Sequence, residues 1–146
     1  MVFAMLSVAS AAAQQPYVIV LGTAQDGGYP HMGCERDCCR SAWLKGGQKA
    51  YVVSLALVDP KAGQWWLLEA TPDMPRQLQL FKTMTKGKFN FLPAGIFITH
   101  AHIGHYSGLM QLGREVLGAK EVPVYVLPRM KTYLEQNGPW SQLVSL

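Results

Sequence analysis

The segment Gly95-Ile96-Phe97-Ile98-Thr99-His100-Ala101-His102-Ile103-Gly104-His105-Tyr106-Ser107-Gly108 places three of the chain's four histidines within six residues, directly behind a short apolar β-prone run. Side chains two apart in an extended segment point the same way, so His100 and His102 can converge on one ion. His105 follows about one helical turn later, where a helix is expected to begin. Neutral imidazole is the commonest metal ligand. The spacing therefore points to a metal centre at a strand end. The bland alternative is three structural rings, one capping a helix and the others meeting carbonyls or water.

The run T-H-A-H-I-G-H-Y-S-G-L, Thr99 to Leu109, resembles the T-H-x-H-x-D-H-x-x-G-L signature of the metallo-β-lactamase fold, and its flanks resemble the branch related to PQQ biosynthesis. The resemblance implies an α/β chain forming the first half of a four-layer αββα sandwich, a mixed sheet flanked by helices. It implies that His100 and His102 hold a first metal together with a histidine from much further along, and that His105 helps to hold a second. Gly104 stands where that signature carries aspartate, and glycine has no ligand atom, so a single-metal site is expected. His102-Ile103-Gly104-His105 also spells the H-I-G-H tetrapeptide of class I aminoacyl-tRNA synthetases. No K-M-S-K-S loop follows it, and that match leaves His100 without a role.

Working outward, Tyr17 to Leu21 is apolar without clear alternation, which suits a strand covered on both faces. A turn-rich stretch follows, Gly22 to His31. Asp26 within it is a possible pocket carboxylate, although an Asp-Gly turn explains it as well. Then His31, Cys34, Cys38 and Cys39 form H-x2-C-x3-C-C, four N and S donors that suit tetrahedral zinc if the loop folds back on itself. The PQQ-related branch carries a cysteine-rich zinc loop in the same region, so the resemblance strengthens this second site. A disulfide from Cys34 to one of the vicinal pair is the competing reading.

Tyr51–Val58 and Gln64–Glu69 read as a hairpin across Asp59-Pro60-Lys61-Ala62-Gly63. Trp65 and Trp66 are expected to pack on opposite faces. Glu69 ends the second strand, where the resemblance places an acidic residue near the active site. Asp73 reads as an N-cap with Pro75 in the first turn, and Met74, Leu78 and Phe81 form an apolar helical stripe. Ser107–Leu117 is expected to be helical with Gly118 as its stop, Val122–Leu127 a strand and Arg129–Gln136 a helix.

The 146 residues are one domain's worth, 49% hydrophobic and 15% charged, a composition that excludes a disordered chain. Met1 to Ala13 is uncharged and apolar and ends in Ala11-Ala12-Ala13, the pattern of a signal-peptide remnant, which makes a periplasmic or secreted location the expectation. Residues 14–146 then form the domain, with its second half expected to be absent. The net charge of +4 is scattered apart from Lys82, Lys86 and Lys88, so neither nucleic acid nor, after export, a membrane is an expected partner. A small-molecule substrate is expected, with a homodimer as a further possibility.

Three functions follow. The first is a zinc-dependent hydrolase in which the His100/His102 ion activates water and His105 orients water or substrate as a catalytic residue. The second is an iron-dependent oxidative enzyme, as the PQQ branch implies. The third is a catalytically silent zinc-binding fragment.

Overall fold

Apolar residues at every second position build a sheet whose buried side is continuous. In the computed structural model, which describes residues 15–44, 46–47 and 49–144, β1 (Tyr17–Gly22) runs antiparallel to β2 (Ser54–Asp59), and β2 antiparallel to β3 (Gln64–Leu68). β4 (Ile96–Phe97) is parallel to β3, and β5 (Val124–Tyr125) is parallel to β4. The result is a mixed five-stranded sheet ordered β1-β2-β3-β4-β5. The expected hairpin joins β2 to β3. Asp59 Oδ1 accepts from the amides of Lys61 and Ala62 at 2.9 and 3.0 Å, and Gly63 takes the positive φ, 65°, that closes the turn.

Helix α2 (Met74–Met84) lies on the face formed by Ile19, Leu21, Ala56, Val58, Trp65, Leu67 and Ile96, all buried. Its Met74, Leu78 and Phe81 are buried as the sequence stripe predicts, and Phe81 stacks on Trp65 at 3.8 Å between centroids. Pro75 sits in the first turn, where its missing N–H costs nothing. Asp73 is the cap residue, yet its side chain makes no cap hydrogen bond and instead accepts from the Val52 amide at 3.0 Å. Buried Gln77 donates to the Val52 carbonyl and accepts from the Thr71 hydroxyl, both at 2.7 Å. These bonds satisfy buried polar groups and fix α2 to the segment entering β2.

Between the first two strands lies α1 (Asp37–Trp43), which the sequence patterns did not predict. After β4 come α3 (Ile103–Tyr106) and a 3-10 helix over Ser107–Leu112, in place of the expected α-helix running to Leu117. Gly108 and Gly113 explain the difference, because glycine disfavours helix interiors. The Gly108 amide donates to the Ala70 carbonyl at 2.9 Å, and a Cβ at Gly108 would collide with the Thr71 carbonyl oxygen. Val116 and Leu117 are consequently exposed. α4 (Pro128–Gln136) and α5 (Ser141–Val144) close the described chain. Here Tyr106, Tyr133 and Trp140 cluster, and burial, with the neighbouring Tyr133 hydroxyl, pushes the Tyr106 phenol up to about 12.

β1 departs from expectation on its second face. Val18 and Val20 are 56% and 54% exposed, and Leu57, Phe97 and Tyr125 share that uncovered side among the described residues. Met1–Ala13, read as a signal-peptide remnant, lies outside the described residues. None of the described helices is long and apolar enough to cross a membrane.

Candidate metal centre

Parallel pairing of β3 with β4 brings their C-terminal ends side by side, so the residues that follow each strand leave from one edge of the sheet. Glu69 extends the pairing by one bond, its amide donating to the Phe97 carbonyl at 2.8 Å. It then turns with φ of 72°, a left-handed conformation uncommon for a residue with a Cβ. Such strain clusters at functional sites. Its side chain is buried, and Oε2 accepts from the Thr99 amide at 3.4 Å.

His102, itself extended, is the N-cap of α3. The ring centroids of His100 and His102 are 4.6 Å apart, and those of His100 and His105 are 4.2 Å apart. The three rings therefore lie side by side, although among the described residues only the cysteines bring three donor atoms within 4.8 Å of one another. His100 and His102 are exposed, whereas the His105 side chain is only 11% exposed. α3 is clamped to the strand end, because Ala70 donates to the His105 carbonyl and Gly108 to that of Ala70, both at 2.9 Å. The His100 Nδ1 meets the Thr99 hydroxyl at 2.7 Å.

Two carboxylates approach this cluster. Glu69 Oε2 lies 3.4 Å from His105 Nδ1. Asp26 Oδ1 lies 3.0 Å from His105 Nε2, and Asp26 Oδ2 lies 3.7 Å from His102 Nδ1. Asp26 also sits in the turn read from the sequence, with the Gly28 amide donating to the Gln25 carbonyl at 2.8 Å. The two readings of Asp26 are thus compatible. The turn is held by bonds from Thr23 and Ala24 to the Tyr51 carbonyl and from Val53 to that of Ala24. An exposed, histidine-rich front backed by partly buried carboxylates suits a borderline divalent cation with an open coordination position.

A second group lies on α1 and the loop before it. One sulfur from each of Cys34, Cys38 and Cys39 falls within 4.8 Å of the others, and all three are free thiols rather than a disulfide. Tyr29 Oη donates to the Cys38 carbonyl at 2.7 Å and Trp43 Nε1 to the Cys34 carbonyl at 3.2 Å, which shapes the loop around them. A hydrogen bond from the Cys39 thiol holds the Cys34 thiol below its usual value, and the same contact pushes Cys39 up. Converging sulfurs with one favoured thiolate suit zinc. His31 is not in this group among the described residues. Its Nδ1 faces the Met32 carbonyl at 3.0 Å, and its ring stands over Gly27, beside the Asp26 turn.

No protein-family model matches the chain. It is 31% identical over 99 residues to coenzyme PQQ synthesis protein B of Methylorubrum populi, a match covering 66% of this chain and 33% of that protein. The protein of that name from Xanthomonas campestris pv. campestris is 28% identical over 124 residues, covering 82% of this chain and 40% of the relative. The chain thus spans between a third and two fifths of the length of these curated relatives. Among solved structures, zinc-bound PqqB from Methylobacterium extorquens superposes with a TM-score of 0.66 at 24% identity, covering 87% of this chain and 42% of that one. A diphosphatase of the PhnP family superposes with a TM-score of 0.60 at 23% identity, covering 82% and 44%.

Proposed function

From a chain that has the metallo-β-lactamase fold and whose homologues are coenzyme PQQ synthesis protein B, we infer the histidine centre of a metal-dependent hydrolase. The observation that carries this is the convergence of His100, His102 and His105 at an exposed strand-end edge, with ring centroids 4.2 and 4.6 Å apart. His100 and His102 would hold the metal, with a further ligand supplied by sequence beyond these residues. A metal bound there supplies an acidified water and a Lewis acid for the substrate. The chain's own contribution is to present two solvent-facing imidazoles, to keep His105 nearly buried behind them, and to surround that ring with Asp26 and Glu69. His105 orients the water or substrate that enters from the open side. The thiol group of Cys34, Cys38 and Cys39 is a structural zinc site, separate from the reaction.

A second reading, an iron-dependent oxidative enzyme, draws its support from relatives that act in PQQ synthesis. Imidazole accepts either metal, so the donors alone do not separate the two. Metal content of the purified chain by mass spectrometry, beside His100→Ala and Cys38→Ala variants, tests both. Zinc lost in His100→Ala together with ester or phosphodiester hydrolysis supports the first reading. Iron at the same residues with oxygen consumption supports the second. Metal lost only in Cys38→Ala would refute a working histidine centre in this chain.

A further inference from the structure

His105 has a carboxylate on each ring nitrogen: Asp26 Oδ1 at 3.0 Å from Nε2 and Glu69 Oε2 at 3.4 Å from Nδ1. A neutral imidazole carries one N–H. It can donate to one carboxylate and must turn a lone pair toward the other. Nδ1 is buried without a well-formed hydrogen bond, and Glu69 Oε2, held by the Thr99 amide, is the acceptor set beside it. Without a metal, Nε2–H donates to Asp26 Oδ1 and buried Nδ1 is left without a partner; with Nδ1–H turned instead to Glu69, Nδ1 gains an acceptor and the Nε2 lone pair faces the Asp26 carboxylate. Two electron-rich atoms 3.0 Å apart repel, and a cation between them converts that repulsion into attraction.

The position of Asp26 is built for such a role. Its second oxygen turns toward His102 Nδ1, so this one carboxylate addresses two of the three clustered histidines. Its turn is pinned to the segment before β2, and it lies against Gly104, where an added Cβ would stand 2.7 Å from the Asp26 Cα and Cβ and 3.0 Å from Cγ. A residue with any side chain at position 104 would compete with Asp26 for this space.

We propose that Asp26 is a metal ligand of the histidine centre, paired with His105 Nε2 in the space that Gly104 leaves open. Glu69 accepts from His105 Nδ1–H and is its positioning residue, as carboxylates commonly are for metal-bound histidines. The ligand class is a divalent cation that accepts mixed nitrogen and oxygen donors, zinc or iron(II). The proposal rests on the metal-dependent reading above, gives His105 a ligand's role in place of orienting water or substrate, and changes one expectation from the sequence. The oxygen ligand missing at position 104 is returned from a loop 79 residues away from His105.

Cobalt(II) titration of the full chain tests this, because the visible bands report the ligand set and thiolate charge-transfer bands separate the cysteine site. Wild type should show visible bands that His102→Ala removes. Asp26→Ala and the closer mimic Asp26→Asn should shift those bands, with affinity weakened by roughly a hundredfold or more in Asp26→Ala. Glu69→Gln should keep the bands in place and weaken binding by about 10- to 100-fold, as expected for an outer partner. The metal-free Asp26→Asn protein should melt with the wild type, so that a spectral change cannot be assigned to unfolding. Unshifted bands in both Asp26 variants, with or without weaker binding, overturn Asp26 as a ligand and leave the metal centre standing. Absence of any His102-dependent band in wild type overturns the metal-dependent reading itself.

Discussion

A Cβ placed on Gly104 would lie 2.7 Å from the Asp26 Cα. Because that atom is backbone, the turn at Gln25–Gly28 must move rather than a side chain swing away. We expect Gly104→Ala to cost about 1–3 kcal/mol in denaturant unfolding, the usual cost of overpacking, and to weaken metal uptake by His102 and His105. Wild-type stability in this variant would mean that the turn yields freely. Gly108→Ala offers a comparison away from the metal donors. Its Cβ would meet the Thr71 carbonyl oxygen and come within 2.9 Å of the Ala70 carbonyl, so it should lose stability by a similar or larger amount. The histidines were legible in sequence because a local spacing carries their geometry. Asp26 was readable only as a turn residue, since its partner lies 79 residues later and no local pattern links the two. Glu69 could be flagged as a strand-end acid, but its φ of 72° became visible only when β3 and β4 were paired.

At the scale of elements, α2 and the β2–β3 hairpin could be read, because apolar periodicity, Pro75 and the Asp59–Gly63 turn all agree, although β2 begins at Ser54 rather than Tyr51 and β3 ends at Leu68. Phe81 is where that agreement is most testable. It is 1% exposed and stacked on Trp65, so Phe81→Ala should cost about 3–5 kcal/mol. In a chain of this size that lowers the thermal midpoint by roughly 10 °C, measurable by circular dichroism. α1 was not legible, since its seven residues carry no apolar stripe and no capping side chain. Its thiols give it a different support. Metal binding needs thiolates, and the Cys34 proton leaves early while the Cys39 proton is held. Zinc affinity at this group should therefore keep rising with pH above neutrality, as the raised Cys39 thiol gives up its proton. Competition with a chelator at several pH values checks this, and a flat profile would show that these thiols are not the zinc ligands. The segment after the histidines was misread as one long helix, because its Leu109, Leu112 and Val116 periodicity hides Gly108 and Gly113, which shorten it to α3 and a 3-10 turn.

Across the whole molecule the sheet is apolar on both sides, yet α2 and the residues after the histidines cover only one of them among the described residues. On the other side Val18 pairs with Leu57, Val20 with Leu55, Leu57 with Trp66, Leu55 with Leu68, Leu68 with Phe97, and Phe97 with Tyr125. These pairs make one continuous surface from β1 to β5, closed at its end by the Phe97–Tyr125 stack at 4.6 Å. Contiguous apolar patches of this kind mark contact surfaces. The sequence-based αββα expectation calls for a second sheet on this side, and a second copy of the chain presents a sheet of the same chemistry. We therefore expect the 146-residue chain to associate reversibly, with sedimentation velocity showing a rising weight-average mass as concentration increases. Leu57→Lys with Phe97→Lys should suppress that association. Both residues are 41% exposed and point away from the buried face, so Leu57→Lys should change unfolding stability by no more than about 0.5 kcal/mol, and Phe97→Lys should cost about 0.5–1.5 kcal/mol more through the lost Tyr125 stack. A wild-type chain that stays monomeric to about 100 μM, where mass action favours even weak dimers, would show that this surface does not bind its own copy. Association that persists in the lysine pair would move the contact to the open edge of β5, where unpaired backbone groups offer the alternative route to a dimer.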